Sequence, residues 1–145
     1  METKKNIEKA ILDTYKNAQI ALHSLNSIIP TVQDKNLLSE LKDEYKGYEQ
    51  FKNELSKFLS QKKIETKSIN PIKKAMLWTS IKLKTAMNNS KNQIAEMMIN
   101  GTVMGINELR AMANEKENYP EDVVEYIEKL LKLEEQYEQN LKRYL

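Results

Sequence analysis

Apolar residues in this chain recur at spacings of four and three. Ile11, Tyr15, Ala18, Leu22, Leu25 and Ile29 form one such run, and Leu38, Leu41, Tyr45, Tyr48, Phe51, Leu55 and Phe58 or Leu59 a second. Ala95, Met98, Thr102, Gly105, Leu109 and Met112 form a third, and Ile127, Leu130, Glu134, Tyr137, Leu141 and Tyr144 a fourth. That spacing puts each set on one face of an α-helix. No run alternates with period two, so no strand competes. Three glycines and three prolines in 145 residues leave few places for turns, which favours a few long helices.

The breaks predict helices over about 6–29, 34–60, 71–87, 91–114 and 121–144. Pro30 ends the first, and Thr31 with Asp34 offers a cap for the second. Gly47 interrupts the second stripe, at a cost of about 1 kcal/mol relative to alanine. The lysine-rich stretch 61–68 reads as a loop, and Asn70-Pro71 suits a helix start. Ser90 and Gln93 have capping-box spacing; one bent helix over 71–114 is the alternative. Gly101 and Gly105 lie four apart, so another backbone can approach there. Pro120, Glu121 and Asp122 suit a helix N-terminus. The sum is one all-α domain over 1–145, an up-down four-helix bundle with an extra basic helical segment between its second and third helices.

Composition removes several kinds of chemistry. Without cysteine there is no disulfide, no thiol nucleophile and no cysteine-based zinc site. A lone histidine, His23, cannot serve a site that needs two imidazoles from one chain. There is no glycine-rich phosphate loop, serine elbow or paired metal motif. The first residues run into an amphipathic pattern, not a signal peptide, and no apolar stretch approaches a membrane span, so a cytoplasmic protein is expected.

The polar residues on the apolar faces carry the most information. They are Tyr15, Tyr45, Tyr48, Thr102, Glu134 and Tyr137. A tyrosine can bury its ring and satisfy one hydroxyl. A carboxylate on such a face must find a donor or be neutralised by a raised pKa. A tyrosine–glutamate network inside the bundle, or Glu134 leaning to the edge, is the plain structural expectation. Met97, Met98, Met104 and Met112, with Met76 and Met87 upstream, read as core filler.

The stretch 134–141, Glu-Glu-Gln-Tyr-Glu-Gln-Asn-Leu, resembles the fourth helix of the ferritin-like superfamily, which carries Glu-x-x-His followed by leucine. Glu134 falls on the glutamate and Tyr137 on the histidine. The stretch 43–51, Asp-Glu-Tyr-Lys-Gly-Tyr-Glu-Gln-Phe, resembles the rubrerythrin-type Glu-Glu-x-Gly-His, with Tyr45 on the glutamate and Tyr48 on the histidine. Tyr15 lies where that superfamily places a single glutamate, and Glu96 and Glu108 only flank the face of the third bundle helix. A di-iron site of this kind needs about four carboxylates and two histidines. The resemblance therefore implies a ferritin-like bundle without its metal ligands, with no metal, cofactor or catalytic residue. Tyr15, Tyr45, Tyr48, Glu134 and Tyr137 remain as a polar core network.

The formal net charge of +2 averages two unlike regions. Residues 57–91 hold Lys57, Lys62, Lys63, Lys67, Lys73, Lys74, Lys82, Lys84 and Lys91 against Glu65 alone. Residues 108–138 are strongly acidic. Lys73, Lys74, Trp78, Lys82 and Lys84 form a basic segment interleaved with apolar residues. Three placements are open to it: on its own bundle, on the acidic fourth helix of a second copy, or on an anionic membrane or nucleic acid. The expected function is a non-enzymatic structural or protein-interaction bundle, a homo-oligomer and most simply a dimer. A binding module using segment 57–91, and a metal-carboxylate oxidoreductase of the ferritin-like type, are the alternatives.

Overall fold

The computed structural model describes residues 2–66 and 90–145. Among them the chain forms four α-helices and no strand: α1 (Glu2–Ile28), α2 (Lys35–Gln61), α3 (Lys91–Ala113) and α4 (Glu121–Lys142). Most of the basic segment, including Lys73, Lys74, Trp78, Lys82, Lys84 and the expected helix 71–87, lies outside the described residues.

Local chemistry sets the ends. α1 stops at Ile28 and hands over to a 3-10 turn, Ile29–Thr31, that holds Pro30. The Thr31 hydroxyl donates to the Ile28 carbonyl at 2.7 Å, so Thr31 closes α1 and does not open α2. Asp34 is the N-cap of α2, its Oδ1 accepting from the Leu37 amide at 2.9 Å. α2 ends in a Schellman turn. The Lys63 amide donates to the Ser60 carbonyl and the Ile64 amide to the Leu59 carbonyl. Lys63 takes the left-handed position, at φ 57°, where glycine is usual. Ser90 is the N-cap of α3, but its hydroxyl pairs with Asn92 and not with a helix amide.

α1 and α2 pack as one hairpin, and α3 and α4 as another. Contacts between α2 and α4 run in opposite numerical order: Lys62 meets Asp122, Glu54 meets Lys129, Tyr48 meets Glu134, Glu40 meets Asn140 and Asn36 meets Tyr144. These two helices are therefore antiparallel. With each hairpin antiparallel as well, the order is up, down, down, up. This corrects the alternating up-down order expected from the sequence. Apolar stripes report which face is buried but not which way a helix points. α2 and α3 run the same way, so Gln61 and Lys91 stand at opposite ends of the bundle.

The core fills the space between the four stripes. Ile11, Leu25, Leu37, Leu41, Phe51, Leu55, Leu59, Leu109, Ile127, Leu130 and Leu141 are all fully buried. Tyr126 caps one end of it, edge-on to Phe51 with ring centroids at 6.2 Å and tilted on Phe58 at 4.9 Å. No helix among the described residues is long and apolar enough to cross a membrane.

Candidate functional site

The buried polar residues concentrate at mid-bundle. The face of α2 is Leu37, Leu41, Glu44, Tyr48, Phe51, Leu55 and Leu59. That is a four-three repeat with a glutamate in it. The sequence reading placed Leu38 and Tyr45 on this face, and both are only partly buried, packed at its edge. α4 contributes Glu134 and Tyr137, both buried.

Tyr48 joins these elements. Its hydroxyl donates to Glu134 Oε2 at 3.2 Å, and its ring lies tilted on Tyr137 with centroids 5.2 Å apart. Tyr48, Glu134 and Tyr137 thus converge. Tyr15 is buried in the same core, but among the described residues no hydrogen bond or ring contact ties it to the trio, and none ties Tyr45. Gly47 makes room for this packing, since a Cβ there would overlap the Tyr137 hydroxyl.

Two carboxyls are stranded. Glu134 Oε1 and Glu44 Oε2 are buried with no hydrogen-bond partner. Burial raises the Glu134 carboxyl to about 8; the nearby charge of Glu108 adds to this, and the bond from Tyr48 opposes it. Burial raises Glu44 further, to about 10, helped by a hydrogen bond to Glu40 and by its charge. Both are therefore largely protonated at neutral pH. Burial also raises the Tyr48 and Tyr137 hydroxyls, with neighbouring carboxyls adding to it. Glu108, at the surface end, is raised by partial burial and by Asp13 against the pull of Lys16 and Lys9.

Both stranded carboxyls border one cavity of about 300 Å3. Its walls are α1 (Asn17, Ile20, Ala21, Ser24, Leu25) and α3 (Met97, Met98, Thr102, Gly105). Glu44, Tyr48 and Glu134 form the buried end. Gly101, Met104 and Glu108, all exposed, lie at the mouth. α1 and α3 are tied across it by the Asn17 side-chain amide, which donates to the Gly105 carbonyl at 3.1 Å. The expected close approach at the two glycines holds at Gly105 only, and side chains make it. A Cβ on Gly105 would stand 2.6 Å from Glu134 Oε1 and 3.1 Å from Asn17 Oδ1, whereas one on Gly101 would meet nothing within 4 Å.

Sequence reasoning passed over Glu44 and Asn17. Glu44 was detectable from the strict repeat of Leu41, Tyr48, Phe51, Leu55 and Leu59, which demands a buried residue at 44. Asn17 carried no comparable signal. The chemistry on offer is hydrogen bonding and charge acceptance by two neutral carboxyls in an apolar pocket. Among the described residues no three His, Cys, Asp or Glu side chains come together in a way that could hold a metal ion. No family model, curated protein or solved structure matches this chain.

Proposed function

We propose that the chain is a non-enzymatic structural or interaction bundle of the ferritin-like kind, in which a tyrosine–carboxyl knot stands in place of a di-iron centre. The observation that carries this reading is the Tyr48–Glu134 hydrogen bond with the Tyr137 ring tilted against Tyr48. A ferritin-type dinuclear centre draws on carboxylates and histidine nitrogens, and Tyr48 and Tyr137 supply neither. The helix order supports the ancestry, because two antiparallel hairpins joined by one long connection are the arrangement of ferritin-like bundles. The four to six converging ligands of a dinuclear site have no counterpart in Glu44 and Glu134.

Iron addition under anaerobic conditions, followed by desalting and metal analysis, tests the reading. Substoichiometric iron and no oxygen consumption on exposure to air are expected. About two irons per chain would overturn it in favour of a metal-carboxylate oxidoreductase.

A homodimer belongs to the same proposal, supported by the segregation of lysines into 57–91 and of acids into 108–138. Light scattering across a concentration series should give twice the chain mass, falling toward one at high salt. A strict monomer at high concentration and low salt would remove the dimer. With no cysteine to oxidise, the chain gains nothing from an oxidising compartment, and a cytoplasmic location is part of the proposal.

A further inference from the structure

We infer that the cavity between α1 and α3 is a binding site for an amphiphilic amine: the ammonium group sits against Glu134 and Glu44, and the apolar part lies along α1 and the α3 methionines. The inference rests on the proposed function to the extent that both carboxyls are free of metal.

The cavity has the two parts such a ligand needs. Its buried end is lined by Glu44 and Glu134, residues 1% and 2% exposed, and each has one carboxyl oxygen, Glu44 Oε2 and Glu134 Oε1, without a hydrogen-bond partner among the described residues. Buried polar atoms are nearly always partnered, so two incompletely bonded carboxyls lining one space call for an occupant that bonds to them. Asn17 Oδ1 adds a third acceptor. It and Glu134 Oε1 both lie close to the point that a Cβ on Gly105 would occupy. An ammonium group brings three donors and a positive charge. The outer part is apolar, lined by Ile20, Ala21, Leu25, Met97 and Met98. Methionine adapts to ligands of varied shape. A volume of about 300 Å3 is at the small end of ligand pockets, which suits a chain of about eight to ten carbons or a bicyclic ring.

Charge sets the selectivity. An anion meets Glu134 and Glu44 at the buried end and Glu108 at the mouth. A neutral alcohol brings a single hydroxyl donor and no charge, so it satisfies the pair only in part. Only a cation turns the carboxyls from a burden into partners, because it lets one ionise while the other, still protonated, bonds to it. Among the described residues, every titratable group facing the pair is an acid or a phenol: Tyr48 from α2, Glu108 from α3 and Tyr137 from α4, with Glu40 beside Glu44. The polar residues that α1 contributes to the lining, Asn17 and Ser24, are uncharged. Among the described residues, no lysine or arginine lines the place offered to the ammonium.

Isothermal titration of the full chain with octylamine, 1-octanol and octanoate tests the inference. Octylamine should bind one to one, at least tenfold tighter than octanol, with octanoate not binding. Binding should release about one proton, read from the heat in two buffers of different ionisation enthalpy. Affinity should therefore rise from pH 6 to pH 8, by at most about tenfold per unit. Glu134→Gln keeps the acceptor for Tyr48 and should lose the preference for amine over alcohol. Gly101→Leu, at a position with open space around it, should block octylamine and octanol while leaving the fold intact. Equal affinity for octanol and octylamine, or an unchanged preference in Glu134→Gln, would overturn the site. Iron(II) alone is the separating arm. If neither iron nor octylamine binds, the amine site fails and the proposed function stands. If iron binds at about two per chain and octylamine competes with it, both fail.

Discussion

The Tyr48 hydroxyl donates to Glu134 Oε2 across 3.2 Å, joining α2 to α4 at the centre of the bundle. Tyr48 is the sole described donor to a carboxyl that is 2% exposed. Tyr48→Phe would leave both Glu134 oxygens buried without a donor. We expect a loss of about 1–3 kcal/mol in urea unfolding with little change in helix content. Tyr45→Phe, at the edge of the same helix face, should cost under about 0.5 kcal/mol.

Stability should fall as pH rises. The ordinary glutamate value is 4.5, against about 8 for Glu134 and about 10 for Glu44 in the folded chain. Between these limits the unfolded chain has given up protons that the folded chain keeps. Raising the pH therefore favours unfolding, by at most about 1.4 kcal/mol per unit and group. Chemical denaturation at pH 5.5 and pH 8.5 should show the lower pH to be the more stable. The double variant Glu44→Gln, Glu134→Gln should flatten most of the difference.

The helix faces were legible in the sequence because long four-three repeats have no other explanation. On α4 the spacing picks out Ile127, Leu130, Glu134, Tyr137 and Leu141, all buried, whereas Tyr144 lies past the helix end at Lys142 and is only partly buried. α2 was read one residue out at two positions. An ionisable residue inside an apolar repeat looks like a solvated one, so Tyr45 took the place that belongs to Glu44. Burial there is enforced by Leu41 and Tyr48 on either side, not by any property of glutamate. Direction was harder to see. A stripe looks the same whichever way its helix runs, and up-down-down-up follows only from cross-helix pairs such as Glu54 with Lys129. Of the cavity the pattern held only the pair Gly101 and Gly105, and spacing alone does not tell that one has open space beside it while the other is met by the Glu134 and Asn17 side chains.

The glycines of two helices should respond in opposite ways. Gly101→Ala has open space and a helical backbone, and should stabilise by up to about 1 kcal/mol. Gly47→Ala would put a methyl group on the Tyr137 hydroxyl, displacing the ring from Tyr48. A net loss of about 1–3 kcal/mol is expected. Thermal unfolding of both variants against the parent checks the pair.

The turn after α2 holds a lysine in a left-handed conformation. Lys63→Gly removes that strain and keeps both backbone hydrogen bonds of the turn. A gain of about 0.5–1 kcal/mol is expected in urea unfolding. Lys63→Val, β-branched at the same φ, should lose about 1 kcal/mol or more.

The neutral, unmetallated carboxyl pair is the centre of this account. A glutamate side-chain carbon-13 NMR titration of the folded protein reads it directly, with Glu44→Gln and Glu134→Gln assigning the signals. The expected result is one carboxyl titrating near 8 and one near 10, both unmoved by stoichiometric iron(II) at neutral pH. Midpoints of both carboxyls near 4.5, or an iron-induced loss of both signals, would contradict it.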